Sequence, residues 1–450
     1  MAGHSHFSPA NVEEHFDFTS EGKKRIIYAF IAGVVALVIG IYLLSKGEAG
    51  GHEVAAAGHE AAKAGHEAAA EHLSGGAVSH QAGSEDHYDW TNRIWANVWL
   101  NAVFFTGIAV VGMFFVSLQY LTKSGWSSVM KRVPEAFPKF LYISLPILIL
   151  TFFFKGDVIF HWMHHGVTEV GSANYDKIIA GKSGYLNKNF FLIRLVVFGG
   201  LWILLWNMLR KKSLEEDLNG GTEYFTQLVK IGTAFIVIFG ASSSIFAWDW
   251  VMSIDTHWFS TMFGWYMFSS WHVTGLAIIT LTVLLLKDKG YMSYVNENHL
   301  HDMGKFMFAF SIFWTYLWFS QYMLIWYANI PEETIYFKNR VQGAYKPIFF
   351  LNLFINFLCP LLILMKRSAK RNFTLVAFMA VLILFGHWID FYQMVMGSLM
   401  KEHVSLGWLD FGILAFFVGV MILMVARSLA SKPLIAKYHP FLKESILHQV

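Results

Sequence analysis

Long apolar runs separated by short polar or charged segments dominate the chain. Ten of them, at 25–44, 98–121, 137–154, 189–209, 228–248, 262–286, 304–328, 347–366, 372–395 and 406–426, read as helices that cross a bilayer. A hydrocarbon layer of roughly 30 Å takes about 20 helical residues. The run 137–154 is short for this task. Its pattern predicts either an earlier start or a helix that continues past Lys155 through Val158-Ile159-Phe160. The expected fold class is therefore all-α integral membrane, because a helix satisfies its own backbone hydrogen bonds in lipid.

Composition supports the same reading. Of 450 residues, 55% are hydrophobic and only 14% are charged, too few charges to cover so much apolar surface in water. The formal net charge of +3 gives no reason to expect a nucleic-acid partner. The single cysteine, Cys359, excludes a disulfide framework within the chain, Cys-ligated iron–sulfur clusters and thiolate zinc sites. The first apolar run follows the polar tail 1–24 and has no small-residue cleavage site after it, so it reads as a retained helix. Most Lys and Arg fall on one side if the N-terminus is cytoplasmic. The short segment 367–371 holds Arg367, Lys370 and Arg371, whereas 249–261 holds none. Ten spans then place both termini in the cytoplasm.

Two repeats interrupt this pattern. Between the first two runs, Gly51-His52-Glu53 recurs as Gly58-His59-Glu60 and Gly65-His66-Glu67. On a helix His52, His59 and His66 would form one stripe, a weak metal-binding pattern. The plainer reading is an Ala-rich linker, since a Gly in every heptad weakens a helix. The second repeat pairs runs two to five with runs six to nine. Each set ends on a similar string, Phe246-Ala247-Trp248-Asp249-Trp250 and Gly386-His387-Trp388-Ile389-Asp390-Phe391. Such a duplication of four helices would be parallel.

Ionisable residues inside a membrane are costly and mark function. Under the assigned orientation they gather in the outer half: His272, His387, Asp390, Asp249, Arg194 and Asp410, with Asp157 and His161 just outside and Gln321 and Tyr322 nearby. His387 and Asp390 share a helix face. The inner half reads as poorer, with Lys230 and Lys305 near its edge. A His and carboxylate cluster suits quinol oxidation, which needs hydrogen-bond acceptors and a route for protons. It equally suits anchoring of helix ends in the aromatic belt. His272 and His387 would be the one intramembrane pair available to ligate a haem b, which is not expected. Asp255 and His257 read as partner contacts or helix caps. His299, His301 and Asp302 read as the N-terminal cap of the seventh run, with proton entry as the alternative.

Longer strings resemble a known family. Ala247-Trp248-Asp249-Trp250-Val251-Met252-Ser253-Ile254-Asp255-Thr256-His257-Trp258-Phe259-Ser260-Thr261 is similar to the segment after the fifth helix of a membrane subunit of bacterial alternative complex III. His301-Asp302-Met303-Gly304-Lys305, the run Trp314 to Tyr322 continuing through Trp326 to Glu333, and His439-Pro440-Phe441-Leu442-Lys443-Glu444-Ser445 resemble the same family. The resemblance covers residues from about 90 to the end. It implies the smaller of two membrane subunits of the polysulfide-reductase (NrfD-like) superfamily in a quinol:cytochrome c oxidoreductase of the bacterial inner membrane.

Further expectations follow from that family. The chain would divide into a tail and peripheral helix (1–44), an outer linker (45–97), two four-helix bundles (98–248 and 249–395), and a last peripheral helix with a cytoplasmic tail (396–450). Its partners would be an iron–sulfur subunit, multihaem and monohaem cytochrome c subunits, the larger NrfD-like subunit and lipid. It would carry no covalent cofactor, give structural support and a proton path, and lie in a complex that oxidises menaquinol or another quinol. Two alternatives stay open: a direct quinol site at the outer cluster, and a stand-alone transporter.

Overall fold

The computed structural model describes residues 14–43 except 25 and 29, then 90–400 and 406–449. His52, His59 and His66, the stripe read as a weak metal-binding pattern, lie outside the described residues. The described residues form helices and no strand. In chain order the helices are α1 (Ser20–Leu43), α2 (Trp90–Leu121), α3 (Leu141–Ile159), α4 (Lys177–Lys182), α5 (Lys188–Asn219), α6 (Thr222–Trp250) and α7 (Phe263–Asp288). There follow α8 (Glu297–Ala328), α9 (Pro331–Val341), α10 (Lys346–Leu353), α11 (Cys359–Ile363), α12 (Phe373–Leu399), α13 (Trp408–Ala430) and α14 (Leu442–Ile446).

Nine helical stretches among the described residues are long and apolar enough to cross a membrane, which makes this a multi-pass membrane protein. The run 304–328 lies in α8, which is not among the nine. Its 32 residues give about 48 Å of helix. It falls short in hydropathy, not in length, because Trp, Tyr, Ser and Gln dilute its apolar residues.

The short third run is extended at both ends. A 3₁₀ segment, Pro134–Phe140, leads into α3, and the helix continues past a non-helical Lys155 to Ile159. The eighth run is not one α-helix. Between α10 and α11 the turn Phe354–Leu358 is a π-helix, closed by the Cys359 N–H bonding to the Phe354 carbonyl. Pro360 follows at once and has no N–H to donate, so an α-helix could not run through unbroken.

The buried helix α2 is the axis of the packing, touching α3, α6, α7, α12 and α13. Around it, α2, α3, α5 and α6 form one ring of neighbours; α7, α8, α10–α11 and α12 form another. The rings meet where α2 crosses α7. A Cβ on Gly107 would lie 1.9 Å from the Trp271 indole, and one on Gly275 would lie 2.2 Å from Val111. Both glycines are required by this close approach.

The two ends of the helices differ. At one, the segments 14–17 and 434–449 converge on the loop before α8. Glu14 accepts from the Met292 and Ser293 N–H groups at 2.8 and 3.1 Å, and His448 Nε2 donates to Asp302 Oδ2 at 2.6 Å. At the opposite end the loops around α4, between α6 and α7, and around α9 pack together. There Lys182 Nζ donates to the Thr256 carbonyl at 2.6 Å, and Trp258 stacks on Tyr336 with centroids 3.8 Å apart.

Candidate functional site

Near the end away from the chain termini, α12 carries Asp390 into the second ring, where it is 1% exposed. Four neutral donors surround it. Tyr266 Oη and Asn352 Nδ2 donate to Oδ1, the latter at 2.9 Å; Trp314 Nε1 donates to Oδ2 at 3.0 Å. Ser270 Oγ lies 3.1 Å from Oδ2 and 2.9 Å from His387 Nδ1, bridging the two side chains. His387 and Asp390 themselves stand 3.9 Å apart. The four donors come from three elements of the ring: α7 (Tyr266, Ser270), α8 (Trp314) and α10 (Asn352). The π-turn then places Asn356 one turn below, its Nδ2 donating to Asn352 Oδ1 at 2.6 Å.

Tyr266 also lines a small pocket with Trp318, Gln321, Tyr336, Arg340 and Gln393. Arg340 is 3% exposed. Its guanidinium lies 3.5 Å from the Tyr336 ring centroid. It donates to the Tyr336 carbonyl at 2.7 Å, to Ser398 Oγ at 2.9 Å and to the Gln393 carbonyl at 3.2 Å. Gln321 reaches this pocket as a buried residue, while Tyr322 stacks on Trp318 at 5.9 Å.

The corresponding carboxylate of the first ring is arranged differently. Asp249, at the end of α6, receives Arg194 of α5 through Nε at 2.5 Å and Nη2 at 3.1 Å. Tyr185 and Phe190 cover the guanidinium at 4.0 and 4.2 Å. Charge and hydrogen bonds are both met, so this pair is closed. Asp410 is likewise paired, with Arg93 at 2.5 Å, and accepts from Asn97 at 2.7 Å and from the Gly407 N–H at 2.7 Å.

The other expected members separate. His272 is 1% exposed and boxed by Phe114, Phe268 and Phe310, with centroids 5.3, 5.6 and 4.2 Å away. His387 instead meets Ser270 and the Trp314 ring, so the two histidines have different neighbours. Asp157 and His161 are exposed. The Asp157 carbonyl accepts from His164 Nε2 at 2.8 Å, and His161 lies edge-on to His164 at 4.9 Å. His257 Nε2 donates to Asp176 Oδ2 at 2.6 Å, tying one loop to the next. Asp255 is half-buried and terminates the 3₁₀ turn Met252–Ile254. Among the described residues no group of three or more His, Cys, Asp or Glu could hold a metal ion.

Two expectations are corrected. His301 and Asp302 do not cap α8. Asn296 does, accepting from the Asn298 and His299 N–H groups at 2.8 and 3.3 Å, and His299 completes the capping box by accepting from the Asn296 N–H at 3.1 Å, so of the three expected residues His299 alone takes part; Asp302 binds Lys305 Nζ and His448 Nε2, both at 2.6 Å. The cap lies earlier because the helix begins at Glu297, about two turns before the apolar run.

Buried charge is also not confined to one end. At the end bearing the chain termini, Glu135 accepts from Arg132 at 2.6 Å, Arg210 at 2.5 Å and Ser213 at 2.7 Å. Lys131 bonds Glu216 at 2.9 Å and Tyr120 at 2.7 Å, and Arg132 also bonds Asp217. In sequence these residues sit in a loop and at a helix end, where charges ordinarily face water. Beside them His439 is held well below its ordinary value by burial, with the Lys131 charge acting in the same direction, so its ring is neutral.

Fold and site together define a class: an all-α, multi-pass membrane protein in which, among the described residues, Asp249 and Asp410 are closed in arginine pairs while Asp390 forms a carboxylate–histidine hub linked to a polar pocket. No family model matches the chain, and no curated protein matches it.

Proposed function

We propose that this chain is an integral subunit of a quinol-oxidising respiratory complex of the alternative complex III kind, giving structural support and a proton path. It would lie in the bacterial inner membrane with both termini cytoplasmic. The helices α2 to α12 would form two parallel four-helix units, with α1 and α13 peripheral. Quinol would be oxidised in the larger membrane subunit, with electrons leaving through the iron–sulfur and cytochrome c subunits.

The observation that carries the reading is the contrast between the two carboxylates. Asp249 is neutralised by Arg194, whereas Asp390 meets only neutral donors, the His387 ring across Ser270, and a tyrosine that also lines a pocket. Of the two, Asp390 is the one with no arginine bonded to it and with a histidine beside it, and the proton-path reading rests on that difference. The duplication draws support from Thr106-Gly107 on α2 and Thr274-Gly275 on α7. Each threonine hydroxyl bonds the carbonyl four residues back at 2.6 Å, and each glycine receives the other ring.

A second reading, direct quinol binding, is favoured by the aromatic and amide lining of the pocket beside Tyr266. Deleting the chromosomal copy and assaying membranes for quinol-dependent cytochrome c reduction tests the main reading. Loss of activity, restored by the wild-type copy, is expected; unchanged activity would remove it. The two readings part on Gln321→Leu, which weakens quinol saturation only if the pocket itself holds quinol.

A further inference from the structure

Three buried side-chain atoms around the π-turn have no hydrogen-bond partner: His387 Nε2, Asn356 Oδ1 and Ser311 Oγ. All three residues are fully buried, at 0% exposure. They come from three elements that touch one another, α12, the π-turn and α8. A Cβ on Gly386 would lie 2.2 Å from Asn356 Oδ1, which puts that oxygen against the residue before His387. Ser311 lies three residues before Trp314, on the same helix face, and the Trp314 ring meets His387 edge-on at 5.3 Å.

The hydrogen bonds around Asp390 fix what each atom needs. Trp314 and Asn352 can only donate through their nitrogens, so Asp390 accepts on both oxygens. Ser270 has one hydroxyl proton, which then goes to Asp390 Oδ2. With the Ser270 hydroxyl donating to Asp390, His387 Nδ1 donates to Ser270 Oγ, and in that tautomer Nε2 is an acceptor without a partner. Asn356 has turned its amide nitrogen to Asn352, so its oxygen is an acceptor as well. Ser311 can supply one hydroxyl proton. The trio thus presents two acceptors and one donor, the complement of a single water molecule, which has two protons to give and lone pairs to receive.

We infer that His387, Asn356 and Ser311 form a membrane-buried water site, in which one water donates to His387 Nε2 and Asn356 Oδ1 and accepts from Ser311 Oγ. The π-turn creates the site, since it shifts Asn356 relative to an unbroken α-helix. The water would extend the chain Asp390–Ser270–His387 by one proton-carrying member. This deepens the proton-path reading above, although the site itself depends only on the hydrogen-bond inventory of the second ring.

The test is a density map of the full chain, purified from its native membranes with whatever subunits accompany it, at a resolution that shows ordered waters. A peak within hydrogen-bond distance of all three atoms is expected in the wild type. It should be lost in His387→Asn, whose amide still reaches toward Ser270 but offers nothing at the Nε2 position. Nitrogen NMR of ring-labelled histidine, on the same material in lipid, should show one resonance of the Nδ1–H tautomer that vanishes in His387→Asn. A wild-type map in which the three side chains bond one another directly, or an Nε2–H tautomer for His387, would overturn the site. Normal turnover in Ser311→Ala, with the wild-type peak present, would instead count against the proton path and leave the water site standing.

Discussion

Gly386 lies so close to Asn356 that a methyl group in place of its hydrogen would overlap the amide oxygen, 2.2 Å away. The Ile355 side chain is nearly as close, at 2.4 Å. The contact seats the π-turn on α12 one residue before His387, and with it the amides that address Asp390. Gly386→Ala is expected to destabilise the protein by about 1–3 kcal/mol, the usual cost of overpacking. Thermal unfolding in detergent reads this directly. The double variant Gly386→Ala with Asn356→Ala should recover part of the loss; no recovery would show that Asn356 is not what the methyl strikes.

Asp390 and Asp249 should respond oppositely to loss of charge. Asp390→Asn removes a buried carboxylate whose hydrogen-bond donors are all neutral, and turnover of the assembled complex should fall by about 10²-fold, the scale of a lost proton-transfer group. Asp249→Asn should spare turnover and instead lower stability, because it leaves Arg194 buried without its charge partner. Quinol turnover and complex yield, measured together for both variants, separate the two roles.

The Arg194–Asp249 pair makes a quantitative case. Arg194→Ala alone leaves a carboxylate that is 1% exposed without a cation, at a cost of about 3–5 kcal/mol. Removing both side chains should cost less than the sum of the two single changes, as for any coupled pair. Additive losses in a double-mutant cycle of unfolding free energies would mean that the pair is not coupled.

On the opposite loops, Asp176 caps α4 and receives His257. Partial burial pushes its carboxyl up, but the Ile179 and Ile178 N–H groups and His257 outweigh this and hold it below the ordinary value. With the folded-state value depressed, the stabilisation is complete above the unfolded value of about 3.9 and is lost as pH falls through the lowered one. Protection of the Ile178 and Ile179 amides, taken as exchange relative to the intrinsic rate at each pH, should therefore be high at neutral pH and fall at acid pH. In Asp176→Asn that acid limb should flatten.

Much of this architecture is legible in the sequence, for physical reasons. Apolar run length reports helices directly, and the spacing of His387 and Asp390 places them on one face. Asp249 and Arg194, separated by 55 residues, could be suspected only one at a time, because no local pattern joins them. The donors to Asp390 were hidden for a different reason. Tyr266, Ser270 and Trp314 look like ordinary helix residues until the ring closes. Asn352 and Asn356, one turn apart in an apolar run, were the available clue. The buried network around Glu135 was obscured because its members flank apolar runs, where charges usually face water. The cap of α8 lies beyond the reach of hydropathy, because the helix begins in polar residues well before its apolar run.

The central claim is that this chain works inside a quinol-oxidising complex. Affinity purification of the full chain from its native membranes, followed by optical and EPR spectra of the product, tests this most directly. The account predicts that c-type haem bands and iron–sulfur signals accompany the chain, and that the preparation reduces cytochrome c with quinol. A homogeneous single-chain product, free of both signals and active in transport when placed alone in liposomes, would contradict it.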